Sequence, residues 1–148
     1  HDEDGSEISP SVFIPIAEEL GLIGEIGAWV IRSATQEIAA RDDHSTISVN
    51  LSAAQLWDGE LPEIVRSALE ESGLAPHRLE LEITESLLLD DDPAVAYQID
   101  TLKEMGVSLA MDDFGTGFSS LGYLWRFGFD RLKVDRSFVA GLERDPER

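Results

Sequence analysis

Four short apolar stretches share one alternating register, and each carries a polar side chain at its end: Ile47-Ser-Val-Asn50, Leu79-Glu-Leu-Glu82, Val107-Ser-Leu-Ala-Met-Asp112 and Arg131-Leu-Lys-Val-Asp135. Successive strand side chains point to opposite faces, so residues two apart share one. One face therefore collects Ile47, Val49, Leu79, Leu81, Val107, Leu109, Met111, Leu132 and Val134. The other collects Ser48, Asn50, Glu80, Glu82, Ser108, Asp112, Lys133 and Asp135. Carboxylates, an amide and an ammonium gathered on one sheet face describe a site better than a packed interior.

The spacing selects the kind of sheet. Asn50, Glu82, Asp112 and Lys133 lie 32, 30 and 21 residues apart. Such gaps exceed any hairpin and suit a helical return to a parallel strand. The competing architecture is an antiparallel sheet with its polar face in water, but the intervening segments read as helices. Pro10 or Ser11 opens a helix through Leu20, and a second runs from Gly24 to Ala40, with Ile26, Trp29, Val30, Ala34 and Ile38 near one face. Pro62 opens a helix to Ser72 that Gly73 ends, and Asp91-Asp92-Pro93 caps one running to Met105. A loop follows Asp113, then a short helix near Ser119–Arg126 and a helical turn over Ser137–Leu142. Helices cover the aliphatic face of a parallel sheet. The fold class is thus α/β, and a polar inner face points to a barrel whose strand ends carry the site.

Composition sets outer limits. The 148 residues suffice for one domain with a real core, but fall short of the about 250 of a complete eight-fold barrel. The start lacks an initiator Met and a signal-peptide pattern, which reads as a piece of something longer. No apolar run approaches the ~20 residues of a membrane span, so no membrane contact is expected from this segment. Zero cysteines exclude disulfides and thiolate metal sites and lean to a reducing, cytoplasmic location. Thirty acidic against 11 basic residues give a formal charge of −19. That surface repels nucleic-acid polymers and anionic membranes. A phosphate ligand needs cations that reverse the field locally.

Asn50, Glu82 and Asp112 each close a strand, at the end where parallel α/β folds bind ligands. Three oxygen donors suit a hard divalent cation, Mg²⁺ or Mn²⁺. Asp113 follows at once, so one strand end offers two carboxylates, a pair able to serve two ions held close together. Lys133 reaches the same face, beside Asp135, as a cation for phosphate charge or for orienting water. Glu85 is a loop acid that, with Thr84, suits a helix cap. Taken singly, each acid is more often a cap or a solvated charge; the joint register argues otherwise. Asp113-Phe-Gly matches the kinase metal triplet, but neither a phosphate loop nor a His-Arg-Asp segment accompanies it. His1, His44 and His77 read as solvated, and Trp29, Trp57 and Trp125 as core or rim packing.

Together these segments resemble the EAL domain family of cyclic-di-GMP phosphodiesterases. The matching text is Phe13-Ile-Pro-Ile-Ala-Glu-Glu-Leu-Gly21, Ser48-Val-Asn-Leu-Ser52, Glu82-Ile-Thr-Glu-Ser86, Asp112-Asp-Phe-Gly-Thr-Gly117 and Leu132-Lys-Val-Asp135. The resemblance implies a TIM-like (β/α) barrel, here partial, with four parallel strands and flanking helices. It implies Asn50, Glu82 and Asp112 as metal ligands, Asp113 at a second metal, and Lys133 assisting the attacking water. Glu85 would hold the loop shaping the metal and dimer region. Two Mg²⁺ or Mn²⁺ ions and hydrolysis of cyclic-di-GMP to linear pGpG are expected. So is a homodimer, or fusion to sensory or cyclase domains. The Glu-Ala-Leu signature segment and the last two strands are absent, so residues 1–148 read as a truncated EAL domain. An oligomeric, swapped or marginally stable chain is therefore expected. Two other readings are a degenerate module binding cyclic-di-GMP or a protein without turnover, and an acidic interaction domain meeting a basic partner.

Overall fold

Helix boundaries follow local chemistry. The computed structural model describes residues 7–88, 92–114 and 126–134. Helix α1 (Pro10–Glu19) starts on a proline and stops just before Gly21, and α2 (Ile23–Ala39) follows directly. Strand β1 (Ile47–Asn50) leads into the short α3 (Ala53–Trp57), which the sequence reading lacked. Its capping box is formed by Ser52 and Gln55, whose side chains satisfy each other's backbone N–H groups. Helix α4 (Leu61–Ser72) ends at Gly73, whose φ of 68° is left-handed backbone that a Cβ would strain. A 3₁₀ turn (Pro76–Arg78) then enters β2 (Leu79–Thr84), and a second one (Glu85–Leu88) follows it. Asp92 caps α5 (Pro93–Glu104) by accepting from the Ala94 N–H at 2.8 Å. Strands β3 (Ser108–Phe114) and β4 (Arg131–Val134) complete the described chain. Most of the short helix expected near 119–126, the turn over 137–142, Asp135 and Trp125 lie outside the described residues.

The sheet is four-stranded, ordered β1-β2-β3-β4, and parallel throughout, as the 30-residue spacing required. Ile47 faces Leu79 and Asn50 faces Glu82; Glu82 faces Ala110 and Thr84 faces Asp112. Leu79, Leu81, Ile83, Leu109 and Met111 form a fully buried row beneath α2, α4 and α5. From the helices come Ile31, Ile38, Leu61, Val65, Ile99 and Leu102. Burying each such side chain contributes roughly 1.5–3 kcal/mol, so this layer holds the fold together. On β4 the same row thins, with Leu132 and Val134 half exposed.

Two packing expectations need correction. The buried residues of α2 are Ile23, Gly27, Ile31, Thr35 and Ile38; of the expected face Ile38 is buried and Val30 and Ala34 pack against the core, but Trp29 is not part of it. Gly27 and Thr35 are buried because neighbours approach closely there. A Cβ on Gly27 would lie 1.8 Å from Gln55 Nε2, and the Thr35 hydroxyl donates back to Arg32 O at 3.0 Å. Trp29 and Trp57, read as core or rim, are 68% and 58% exposed. His44 and His77 are exposed, in line with the sequence reading.

Candidate functional site

The C-terminal ends of β1, β2 and β3 bring three oxygen donors onto neighbouring strands. Asn50 and Glu82 are direct partners across β1 and β2. Asp112 lies two residues further along, opposite Thr84. Glu82 is 5% exposed, Asp112 is half-buried, and Asn50 is exposed at the sheet margin. Glu85, read as a loop acid, is instead buried in the 3₁₀ turn just beyond.

A bulge separates the two aspartates. Between the pairs Met111–Leu132 and Phe114–Val134, β3 has two residues where β4 has one. Asp112 and Asp113 therefore both oppose Lys133. Asp113 takes φ of 55°, the only positive value at a non-glycine among the described residues. Aspartate tolerates this region better than most residues, at a local energetic cost. Its amide donates to Asp112 Oδ1 at 2.9 Å, which fixes that carboxylate. Across the bulge Asp112 is half-buried and Asp113 exposed, and bulges beside sites typically re-aim side chains in this way.

Lys133 crosses over β3 to form an ion pair with Glu82 Oε1 on β2. The hydrogen bond to Glu82 is the main cause holding the Lys133 ammonium above its ordinary pKa, against a smaller opposing effect of burial. The charges of Glu82, Asp112 and Glu80 add to the upward shift. A second pair lies one step lower on the same face. Arg131 Nη1 approaches Glu80 Oε1 at 3.2 Å, and the Ser48 hydroxyl donates to the same oxygen at 2.8 Å. Glu80 is 4% exposed. The sequence reading placed Glu80 on the polar face without a role and omitted Arg131. The available signal was parity, since Arg131 stands two residues before Lys133.

The donor set is amide and carboxylate oxygen, which fits a hard divalent cation in kind. Among the described residues no three His, Asp or Glu side chains converge closely enough to hold an ion by themselves. Asn50 thus matters to any such site, and Asp135 lies outside the described residues. No helix among them is long and apolar enough to cross a membrane.

Parallel strands, flanking helices and oxygen donors at the strand ends define a TIM-barrel-like α/β domain. The sequence matches the EAL domain family model over residues 1–148, and the chain belongs to that family. An uncharacterized signaling protein of Caulobacter vibrioides is 50% identical over 137 residues, which cover 93% of this chain and 17% of that protein. The cyclic di-GMP phosphodiesterase NbdA of Pseudomonas aeruginosa is 42% identical over 147 residues, 95% of this chain and 19% of NbdA. The structure of the PaMucR phosphodiesterase in complex with c-di-GMP aligns with a TM-score of 0.87 at 40% identity. That alignment covers 99% of this chain and 61% of the solved one. The chain therefore spans less than a fifth of either curated relative.

Proposed function

We propose that residues 1–148 are the central part of a cyclic-di-GMP phosphodiesterase domain, continued by further barrel strands in a longer signalling protein. The observation that carries this reading is the shared register of Asn50, Glu82 and Asp112 with Lys133 seated on Glu82. The c-di-GMP complex of PaMucR and the name of NbdA support the substrate. The small share of each relative that aligns supports fusion to other domains, with a homodimer as the expected assembly.

Asn50, Glu82 and Asp112 would hold one divalent ion, Mg²⁺ or Mn²⁺, and Asp113 would contribute to a second. When bound, such ions neutralise phosphodiester charge and make a water more acidic. Lys133 presents a fixed ammonium beside that position, where it orients the attacking water and offsets charge developing on phosphate oxygen. Glu82 and Asp112 keep that ammonium protonated. Asp113, set by the bulge, stays apart from Asp112 and can face a second group. Glu85, buried in the turn that follows β2, would hold that turn, and Asp135 shares the sequence parity of Lys133. In-line attack of water on one phosphodiester opens the cyclic dinucleotide to linear pGpG.

The test incubates the chain, and a longer chain carrying both flanks, with cyclic-di-GMP and Mn²⁺, and follows pGpG by chromatography. Turnover by the longer chain that Asp112→Asn abolishes, with the fold intact, is the expected result. Binding without product in both chains would instead favour a non-catalytic cyclic-di-GMP receptor.

A further inference from the structure

Both cation–carboxylate pairs on the inner face cross a strand. Arg131 and Lys133 belong to β4, Glu80 and Glu82 to β2, and β3 lies between them. Neighbouring strands lie about 4.8 Å apart, so these side chains span two such intervals. They can do so because β3 presents Ser108 and Ala110 to this face. Ala110 is fully buried and is the register partner of both Glu82 and Arg131. A larger side chain at position 110 would stand in the path of both pairs.

The pairs differ in their relation to the bulge. Arg131 sits opposite Ala110, on a regular rung, and Lys133 sits opposite the bulged Asp112–Asp113 pair. Regular pairing is interrupted after Met111–Leu132 and resumes only at Phe114–Val134, so Lys133 has no single register partner whereas Arg131 has one. A one-residue slip of β4 would turn Lys133 to the opposite face. Against this, Arg131 is tied to a carboxylate that is 4% exposed and also held by Ser48 on β1. The Arg131 side chain is itself 59% exposed, but removing it would leave the buried Glu80 carboxylate with a single hydroxyl donor, which is costly. One contact thus links β4, β2 and β1 on the side of the bulge where register is still regular.

We infer that Arg131 is a positioning residue, whose pair with Glu80 across Ala110 fixes β4 in the register that delivers Lys133 to Glu82. This extends the proposed site by one residue pair and rests on Lys133 belonging to it. The readout needs no hydrolysis, so failure of the pair and failure of the phosphodiesterase reading are separately visible.

The chain contains only two lysines, Lys103 and Lys133, which makes side-chain ammonium resonances assignable by NMR. Lys103 pairs with Asp130 outside the inner face and serves as the internal reference. Arg131→Ala and Ala110→Leu are each expected to abolish the hydrogen-bonded Lys133 ammonium signal while backbone spectra stay folded. Arg131→Lys is expected to restore it, because Lys133 itself shows that a lysine on β4 reaches a glutamate on β2. Should Arg131→Ala fail to fold, Glu80→Gln makes the same comparison with the shape kept. Loss in the disrupting variants with recovery in Arg131→Lys supports the inference. A Lys133 signal unchanged in a folded disrupting variant, or loss that Arg131→Lys does not repair, overturns it.

Discussion

Arg78, at the entry to β2, ties down the segment 38–45, which lies 33 to 40 residues earlier in the chain. Its Nε donates to Ser45 O at 2.8 Å, its Nη2 to Ile38 O at 2.9 Å, and Asp43 lies 3.8 Å away. Ile38 O belongs to the last turn of α2, where a cation complements the helix dipole. The guanidinium thus ends α2 and fixes the turn into β1, the strand that carries Asn50. Its side chain is 15% exposed, so these bonds are poorly replaced by water. Charge-assisted bonds are each worth roughly 1.5–3 kcal/mol, and partial hydration of the site reduces their sum. Arg78→Ala is expected to lower stability by about 2 kcal/mol in urea unfolding, with Arg78→Lys recovering only part, because an ammonium lacks the fork. A loss within error would show that the turn holds without it. Lys133 yields a second prediction at this scale. Its folded pKa is raised mainly by the Glu82 hydrogen bond, so its contribution is complete below the unfolded value of 10.5. It is lost as pH rises through the higher folded value. The stability difference between the wild type and Lys133→Met should therefore shrink above pH 10.5, and a difference constant across that pH would contradict it.

Element boundaries were readable because Pro10, Pro62, Gly73, Asp92 and Pro93 act through local backbone chemistry. The phase of α2 was readable only in part: Val30, Ala34 and Ile38 do meet the core, but hydrophobicity favours Trp29 whereas contact geometry buries Gly27 and Thr35. Five-residue α3 is too short to show a helical period, although Ser52-x-x-Gln55 carried a capping signal. Gly27 also gives this scale its prediction. Glycine to alanine inside a helix ordinarily gains up to about 1 kcal/mol. At Gly27 the new Cβ falls 1.8 Å from Gln55 Nε2, and Gln55 Oε1 holds the Ser52 amide at 3.0 Å. Moving Gln55 forfeits that cap and overpacks the contact, at roughly 1–3 kcal/mol. Gly27→Ala should thus be destabilising by about 1 kcal/mol. Gly24→Ala, whose Cβ meets Asp58 at an ordinary 3.5 Å, should not be. Equal unfolding midpoints for the two variants would refute the argument.

At the scale of the molecule, the parallel order and the placement of Asn50, Glu82, Asp112 and Lys133 on one face of the candidate site were legible because a period of two fixes faces and spacing fixes crossovers. The cross-strand pairs were less so, since Arg131 matters only once the small β3 residues leave it a path to β2. Two electrostatic effects act on the whole chain and can be separated. A charge of −19 on 148 residues favours expansion, and salt relieves it as the screening length falls from about 30 Å at 0.01 M to about 8 Å at 0.15 M. Added NaCl should therefore raise the melting temperature through screening, whatever the fate of the site. Divalent cations do this too, but if Asn50, Glu82 and Asp112 hold an ion, binding to the folded state adds a second increment. At matched ionic strength MgCl₂ or MnCl₂ should then stabilise more than NaCl. Asp112→Asn should remove that excess and leave the NaCl response in place. Identical curves for the salts would assign all the stabilisation to screening and count against an ion site within this segment. An excess that survives Asp112→Asn would place the ion elsewhere on the acidic surface.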